Sequence, residues 1–509
     1  MSFPRSSGIL LHPTSLPGRF GIGDLGGEAY HFIDFLAASG QRLWQVLPLG
    51  PTGYGDSPYQ CFSAFAGNTL LVSLDRLVEE GLLMKSDLSH HPRFPADRVD
   101  FGRVIPYKNA LLEKAYENFK HTTDTGLRSD FLGFCQHAAA WLEDYALYRA
   151  IKDERGGAAW NTWEPELVKR DRDAIAAARQ RLHDRIEAHK FFQYLFFKQW
   201  LTLKQYCHER RIRIIGDMPI FVAYDSADVW THPEMFKLDE NGNPIVVAGV
   251  PPDYFSATGQ LWGNPIYNWT NMRAAGFAWW IERVRATLQT VDIVRIDHFR
   301  GFAAAWEIPG QDKTAERGMW VEVPGRDLFT AFKRVFGELP IIAEDLGVIT
   351  PDVEALRDDF GFPGMRILQF AFGGDSHNID LPHNYIRNCV VYTGTHDNDT
   401  TIGWFNSQAG AGSTRDEAQI HRERQYCMEY LNANGEEVHW DFIRAVLASV
   451  ASMAIVPLQD VLGLGSEARM NLPASQQGNW SWRFHSGDLT TEIGDRLRKL
   501  SEIYGRNQY

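Results

Sequence analysis

The chain is poor in cysteine. It has five among 509 residues, Cys61, Cys135, Cys207, Cys389 and Cys427, odd in number and widely scattered. With no C-x-x-C pair, the sequence argues against a disulfide framework or a zinc knuckle and for reduced, partly buried thiols. Long apolar runs are also missing. The first apolar stretch is broken by His12 and Pro13, too short for a secretory segment, and no run reaches membrane-spanning length. The cytoplasm is the expected location, with no membrane partner. Positive charge is in deficit: 51 Lys and Arg face 64 Asp and Glu, for a net charge of −13. Nucleic acids and anionic membranes attract the opposite field, so neither is expected to bind. No H-x-H occurs anywhere in the chain. Barrel hydrolases that use a metal usually carry that pair after the first strand, so neither a catalytic metal nor a cofactor is expected.

What is present reads as an ordinary globular protein, 44% apolar and 23% charged. The length suits one large domain with insertions, or two to three smaller ones. Aromatics make up 13%, including 16 Trp. Indole faces stack on the C–H faces of sugar rings, but they also fill large cores. Eight short runs rich in Ile, Val and Leu end in polar or charged clusters: GILLH from 8, RLWQVLPLG from 42, RIRIIGDMPIF from 211, VDIVRIDHFR from 291, LPIIAEDLG from 339, GMRILQFAF from 364, NCVVYTGTHDND from 388 and ASMAIVPLQD from 451. Helical patterns such as EAYHFIDFLAASG and FAWWIERVRATLQ lie between them. Parallel strands buried on both faces read this way, and eight strand–helix alternations predict an α/β fold, the (β/α)8 TIM barrel. Such barrels do their chemistry at the C-terminal strand ends, which here carry Asp217, Asp297, Glu344 and Asp397.

The spacing is uneven. The chain from about 51 to 210 far exceeds a βα loop and turns amphipathic and helical in its later part. We therefore expect residues 1–509 to form a single catalytic barrel, with a mainly helical subdomain inserted at 60–205 and a lid-like loop region at 218–276, rich in Gly, Pro and aromatics. No internal repeat is visible.

RIDHFRG closes the fourth run, and strand alternation puts Arg295 and Asp297 on one side. A guanidinium beside a carboxylate suits a nucleophile; it equally suits a structural ion pair. AEDLG closes the fifth, with Glu344 and Asp345 on opposite sides. A carboxylic acid in a partly apolar pocket can protonate a leaving oxygen, while helix capping and a salt bridge are the plainer account. Adjacent strands bring Asp297 and Glu344 to one mouth, as two-carboxylate glycoside chemistry requires. GTHDNDT closes the seventh run, and there His396 and Asp397 suit sugar hydroxyls better than a metal. GIGDLG at 21–26 matches a dinucleotide pattern but does not open off a strand, and the next strand lacks the acid that would hold a ribose. Turn glycines are the better account. The loops PTGYGDSPYQ and VPPDYFSATGQLWGNPIYNW carry Tyr54, Tyr59, Tyr254, Trp262, Tyr267 and Trp269, a possible stacking surface for a chain of sugars.

With these residues in view, the sequence resembles the amylomaltase family of 4-α-glucanotransferases, the disproportionating enzymes. GILLHPTSLPG, GIGDLG, PLGPTGYGDSPYQ, GDMPIFVA, PPDYFSATGQLWGNP, RIDHFRG, AEDLG, THDNDT and ARMNLPASQQGNWSWR carry the resemblance over nearly the whole chain. It implies retaining transfer of α-1,4-glucan segments to the 4-hydroxyl of an acceptor glucan or glucose. Asp297 would be the nucleophile, Glu344 the acid–base and Asp397 the third acid. It further implies that Tyr59, Asp217, Arg295, His298 and His396 line the bond being cut. By the same resemblance Asp253, Gln260 and Trp262 sit on a lid over the glucan, Ser57 and Asn471 make acceptor-side or rim contacts, and Tyr54 belongs to a second, remote glucan groove. The implied partners are maltooligosaccharides, amylose, glycogen or starch, with the chain a monomer or weak homodimer. Two rivals stand beside this reading: an α-amylase-like retaining hydrolase, and a catalytically silent glucan-binding protein. The second has no need for all three acids.

Overall fold

The computed structural model describes residues 3–252, 258–410, 415–473, 475 and 478–507. Every one of the eight runs forms a strand: β1 Ser6–Leu10, β2 Leu43–Gln45, β3 Arg213–Pro219, β4 Ile293–Asp297, β5 Ile341–Ala343, β6 Gly364–Ile367, β7 Cys389–Tyr392 and β8 Met453–Pro457. They pair in parallel in the order β6-β7-β8-β1-β2-β3-β4-β5. The remaining seam, β5 to β6, is bridged by the Ala343 N–H donating to the Pro363 carbonyl at 2.9 Å. The Met365 N–H adds a bond to Asp345 Oδ1 at 2.7 Å. The result is a nearly closed (β/α)8 barrel whose strands are almost wholly buried, which explains why they read as runs rich in Ile, Val and Leu.

Local fit holds the barrel together. Gly8 on β1 faces Leu43 on β2, and a Cβ there would sit 2.3 Å from the Leu43 carbonyl oxygen. Only glycine permits that approach. Inside the barrel the Tyr392 hydroxyl donates to Gln45 Oε1 at 2.9 Å, joining β7 to β2 just below the mouth.

Between β2 and β3 the chain forms helices Phe101–Lys120, Thr125–His137, Ala139–Glu154, Arg172–Arg181 and the long His183–Glu209. The last serves two structures. Its Trp200 is fully buried, lies 6.2 Å from Trp44 of β2 and donates to the Thr290 carbonyl at 2.9 Å. Upstream on the same helix, the Gln193 and Gln199 side-chain amides each bond both backbone groups of one loop residue, Gly67 and Ser73. A boundary at 205 therefore falls inside one continuous helix. The loop ahead of Gly67, which carries Ser57 and Tyr59, is thereby fastened to the barrel.

The segment 218–276 is more ordered than a loop. It supplies strands Val246–Val250 and Gln260–Pro265, which join Ala304–Pro309 and Met319–Glu322 in a four-stranded antiparallel sheet. That sheet has its own small core of Val247, Ile308 and Ala315 with Trp306 packed on it. Among the described residues no helix is long and apolar enough to cross a membrane.

Candidate active site

Asp217, Arg295, Asp297 and Glu344 come from the C-terminal ends of three neighbouring strands. Arg295 sits two residues before Asp297 on β4, so both side chains point the same way. Its Nη1 donates to Asp297 Oδ1 at 2.9 Å and to Asp217 Oδ2 at 2.7 Å. The Tyr59 hydroxyl donates to the same Asp217 oxygen at 2.8 Å. Burial opposes the guanidinium's charge, but Asp217 and Asp297 outweigh it and raise the Arg295 pKa well above its ordinary value. Asp217, fully buried, is pushed up to about 6 by desolvation in spite of Arg295. Removing Arg295 would leave that carboxylate unpaired, a loss of about 3–5 kcal/mol for a buried pair.

Glu344 is gripped by backbone. Its Oε2 accepts the His298 N–H at 2.7 Å and its Oε1 accepts the Leu346 N–H at 3.0 Å. His298, which follows Asp297 directly, has left-handed backbone angles, φ 56° and ψ 52°. A non-glycine residue held there costs about 1–3 kcal/mol, strain of the kind that gathers at functional sites. The turn lets two successive N–H groups reach the Glu344 residue, with the Phe299 N–H donating to its carbonyl at 3.1 Å. The ends of β4 and β5 are thereby locked side by side, with Glu344 bonded to the residue that follows Asp297. Desolvation first, then the charge of Asp297, raises Glu344 to about 8; Arg295 and the two N–H bonds act against the shift. Burial lowers His298 to about 4, so its imidazole is neutral near pH 7.

Asp397 sits beyond the end of β7 on the other side of the mouth. Asn471 Nδ2 donates to its Oδ1 at 2.6 Å, and His396 Nε2 lies 3.4 Å from the same oxygen. The His396 ring stacks on Tyr59, with centres 5.1 Å apart at 17°. The Trp262 ring meets His298 edge-on at 4.8 Å, and its Nε1–H donates to Gln260 Oε1 at 3.2 Å. The fold thus joins Tyr59, Asp217, Arg295, Asp297, His298 and Glu344 in one network, with His396, Asp397 and Asn471 linked to it through Tyr59. A family model described as 4-alpha-glucanotransferase matches residues 11–490.

The chain belongs to the 4-alpha-glucanotransferase family. The 4-alpha-glucanotransferases of Synechocystis sp. and Thermus thermophilus are each 52% identical to it, over 99% of this chain and 99% or more of theirs. Among solved structures, an amylomaltase from Streptococcus agalactiae, in complex with acarbose, matches with a TM-score of 0.93 at 42% identity, covering 99% of both chains. An amylomaltase from Corynebacterium glutamicum, 18% identical, shares the fold with a TM-score of 0.80, covering 98% of this chain and 75% of that one.

In this member of the 4-alpha-glucanotransferase family some expected residues stand apart from the network. Ser57 Oγ accepts the Tyr59 N–H at 3.2 Å, so it shapes the loop from within. Tyr54 lies on the short turn Tyr54–Asp56 with 75% of its surface exposed. Asp253 and Tyr254 lie outside the described residues. Three other residues escaped sequence reasoning. Trp480 completes a ring cluster, 5.7 Å from Tyr59 and 5.9 Å from His396. Arg469 Nη2 donates to the Asp397 carbonyl at 2.6 Å and its Nε to the Asn471 carbonyl at 2.8 Å. Phe221 backs Trp262 and His298 at 6.5 and 6.4 Å. Their one signal was membership of the quoted motifs GDMPIFVA and ARMNLPASQQGNWSWR.

Proposed function

We propose that this chain is a retaining 4-α-glucanotransferase that moves α-1,4-glucan segments to the 4-hydroxyl of another glucan or of glucose. One observation carries the mechanism. Glu344, raised to about 8, is fixed by the N–H of the residue that follows Asp297. A protonated acid and a carboxylate oriented by Arg295 thus stand side by side at one mouth, as double displacement requires. In the first half, an Asp297 oxygen attacks the anomeric carbon while the glycosidic C–O bond breaks. The Glu344 proton goes to the departing 4-oxygen. In the second half, ionised Glu344 takes the proton of an incoming 4-hydroxyl as its oxygen attacks the same carbon and Asp297 leaves. Two inversions give net retention. Asp397, oriented by Asn471, accepts hydrogen bonds from ring hydroxyls, which strengthen as the sugar flattens toward an oxocarbenium ion. Neutral His298, whose buried Nε2 has no hydrogen-bond partner among the described residues, bonds a further hydroxyl. Trp262, Tyr59 and Trp480 offer apolar faces that displace water.

Hydrolysis would use the same covalent intermediate, so carboxylate geometry does not separate the two outcomes. Support for transfer comes from the relatives at 52% identity, which are named as transferases over their whole length. Incubation with maltotriose tests the reading. Transfer yields glucose and a ladder of longer oligomers. Glucose and maltose alone would mean a hydrolase, and unchanged maltotriose a binding protein.

A further inference from the structure

Glucan transfer, on which the proposal rests, brings a chain of sugars past Asp297 and Glu344. Trp320 lies on Met319–Glu322, the outer strand of the antiparallel sheet. Its side chain is 40% exposed, an unusual setting for so large an apolar ring. The Arg300 guanidinium lies over the ring, 3.8 Å from its centre. Arg300 is buried and comes three residues after Asp297; its Nη1 donates to the carbonyl of Val348, four residues after Glu344. The indole is therefore tied to both loops that carry the reacting groups. Val348, whose carbonyl holds Arg300, is itself 68% exposed.

The ring is also held rigidly. Trp306 faces Trp320 across the strand pair, with ring centres 5.3 Å apart at 63°. Trp306 is itself fixed by its Nε1–H bond to the Ala315 carbonyl at 3.0 Å and by the sheet's own small core. Core packing alone explains Trp306, but it does not explain an indole left partly in water with a buried cation behind it. Cation–π contact steadies the ring, so a ligand meeting its open surface loses little side-chain entropy on binding. The occupant that fits is a neutral, extended glucan whose rings present C–H faces to the indole.

We propose that Trp320, braced by Arg300, is a glucan-contacting platform on the rim, engaging sugar units of long chains several positions away from the bond being cut. The test compares KM for a long linear α-1,4-glucan with KM for maltotriose in the wild type and in Trp320→Ala, Trp320→Leu and Trp320→Phe. A lost stacking contact raises the long-to-short KM ratio about fivefold in the Ala and Leu variants. The Phe variant restores most of it. Trp320→Leu keeps apolar bulk at the sheet edge and carries the test if the Ala variant does not fold. A ratio unchanged from wild type in every folded variant overturns the proposal, since general damage to the mouth would weaken both substrates alike. Failure of the wild type to rearrange maltotriose would instead overturn the functional reading beneath it.

Discussion

Asp297 and Glu344 have carboxyl groups of the same kind in different surroundings, and the roles proposed for them follow from that difference. Asp297 Oδ1 meets a guanidinium, whereas Glu344 meets two amide N–H groups, burial and a neighbouring negative charge. Replacing Asp297 by Asn keeps the shape but removes the attacking oxygen. Transfer from maltotriose is expected to fall by roughly 10⁴-fold or more, as nucleophile deletions do elsewhere, with an unchanged circular dichroism spectrum. Near-normal turnover would mean that another residue attacks. Glu344 also bears on stability. Its folded pKa of about 8 lies above its ordinary value of 4.5, so the folded state holds the proton more tightly. The contribution is fully present below about pH 4.5 and is lost as pH rises toward 8. Glu344→Gln removes the titration, and its amide nitrogen also gives up one of the two backbone N–H bonds. Measured against wild type, its thermal midpoint should therefore be higher near pH 8.5 than near pH 4, while transfer collapses at both. An equal difference from wild type at both pH values would argue against the raised pKa. In the wild type the same group sets an alkaline limb, with kcat/KM declining above about pH 8.

At the scale of elements, strands were legible and their supports were not. Each barrel strand is largely buried and so carries a short run rich in Ile, Val and Leu, a signal a single sequence transmits well. The antiparallel sheet sends a weaker one. Gln260–Pro265 contains two polar residues, a glycine and a proline, and Met319–Glu322 is short and mostly exposed. Neither resembles a buried strand until its partners are known. The helix His183–Glu209 was legible as a helix, but its double duty was not, because the Gln193 and Gln199 clamps are made to a loop 126 residues away. Strand fit also makes a prediction. In Gly8→Ala the new methyl group would collide with the Leu43 backbone, which has no rotamer to escape into. A loss of about 3 kcal/mol or more is expected, read as a sharp fall in soluble yield and thermal midpoint. Wild-type stability in that variant would mean that β1 and β2 pack less closely than described.

At the scale of the whole molecule, the two ends of the chain are fastened together. Arg506 is completely buried and donates to the carbonyls of Leu447, Ser6, Val446 and Ser449. Nearby Arg5 reaches the carbonyls of Tyr504, Ser449 and Leu447. The clasp sits where β1 meets β8, at the end of the barrel away from the carboxylates. Arg506→Ala should remove about 3 kcal/mol, lowering the thermal midpoint by about 3 °C for a chain of this size while leaving maltotriose transfer at 25 °C intact. Loss of activity without loss of stability would contradict that assignment. The sequence by itself determined the barrel and the family and singled out Asp297 and Glu344 as the proposed reacting pair, because each is encoded in short contiguous stretches whose burial or chemistry shows residue by residue. Only the tertiary structure decided which groups bond one another, which rings line the mouth and how Glu344 is raised. Those properties depend on distances between segments far apart in the chain, such as Tyr59 with Asp217 and Asp397 with Asn471, and on how much water the fold leaves between them.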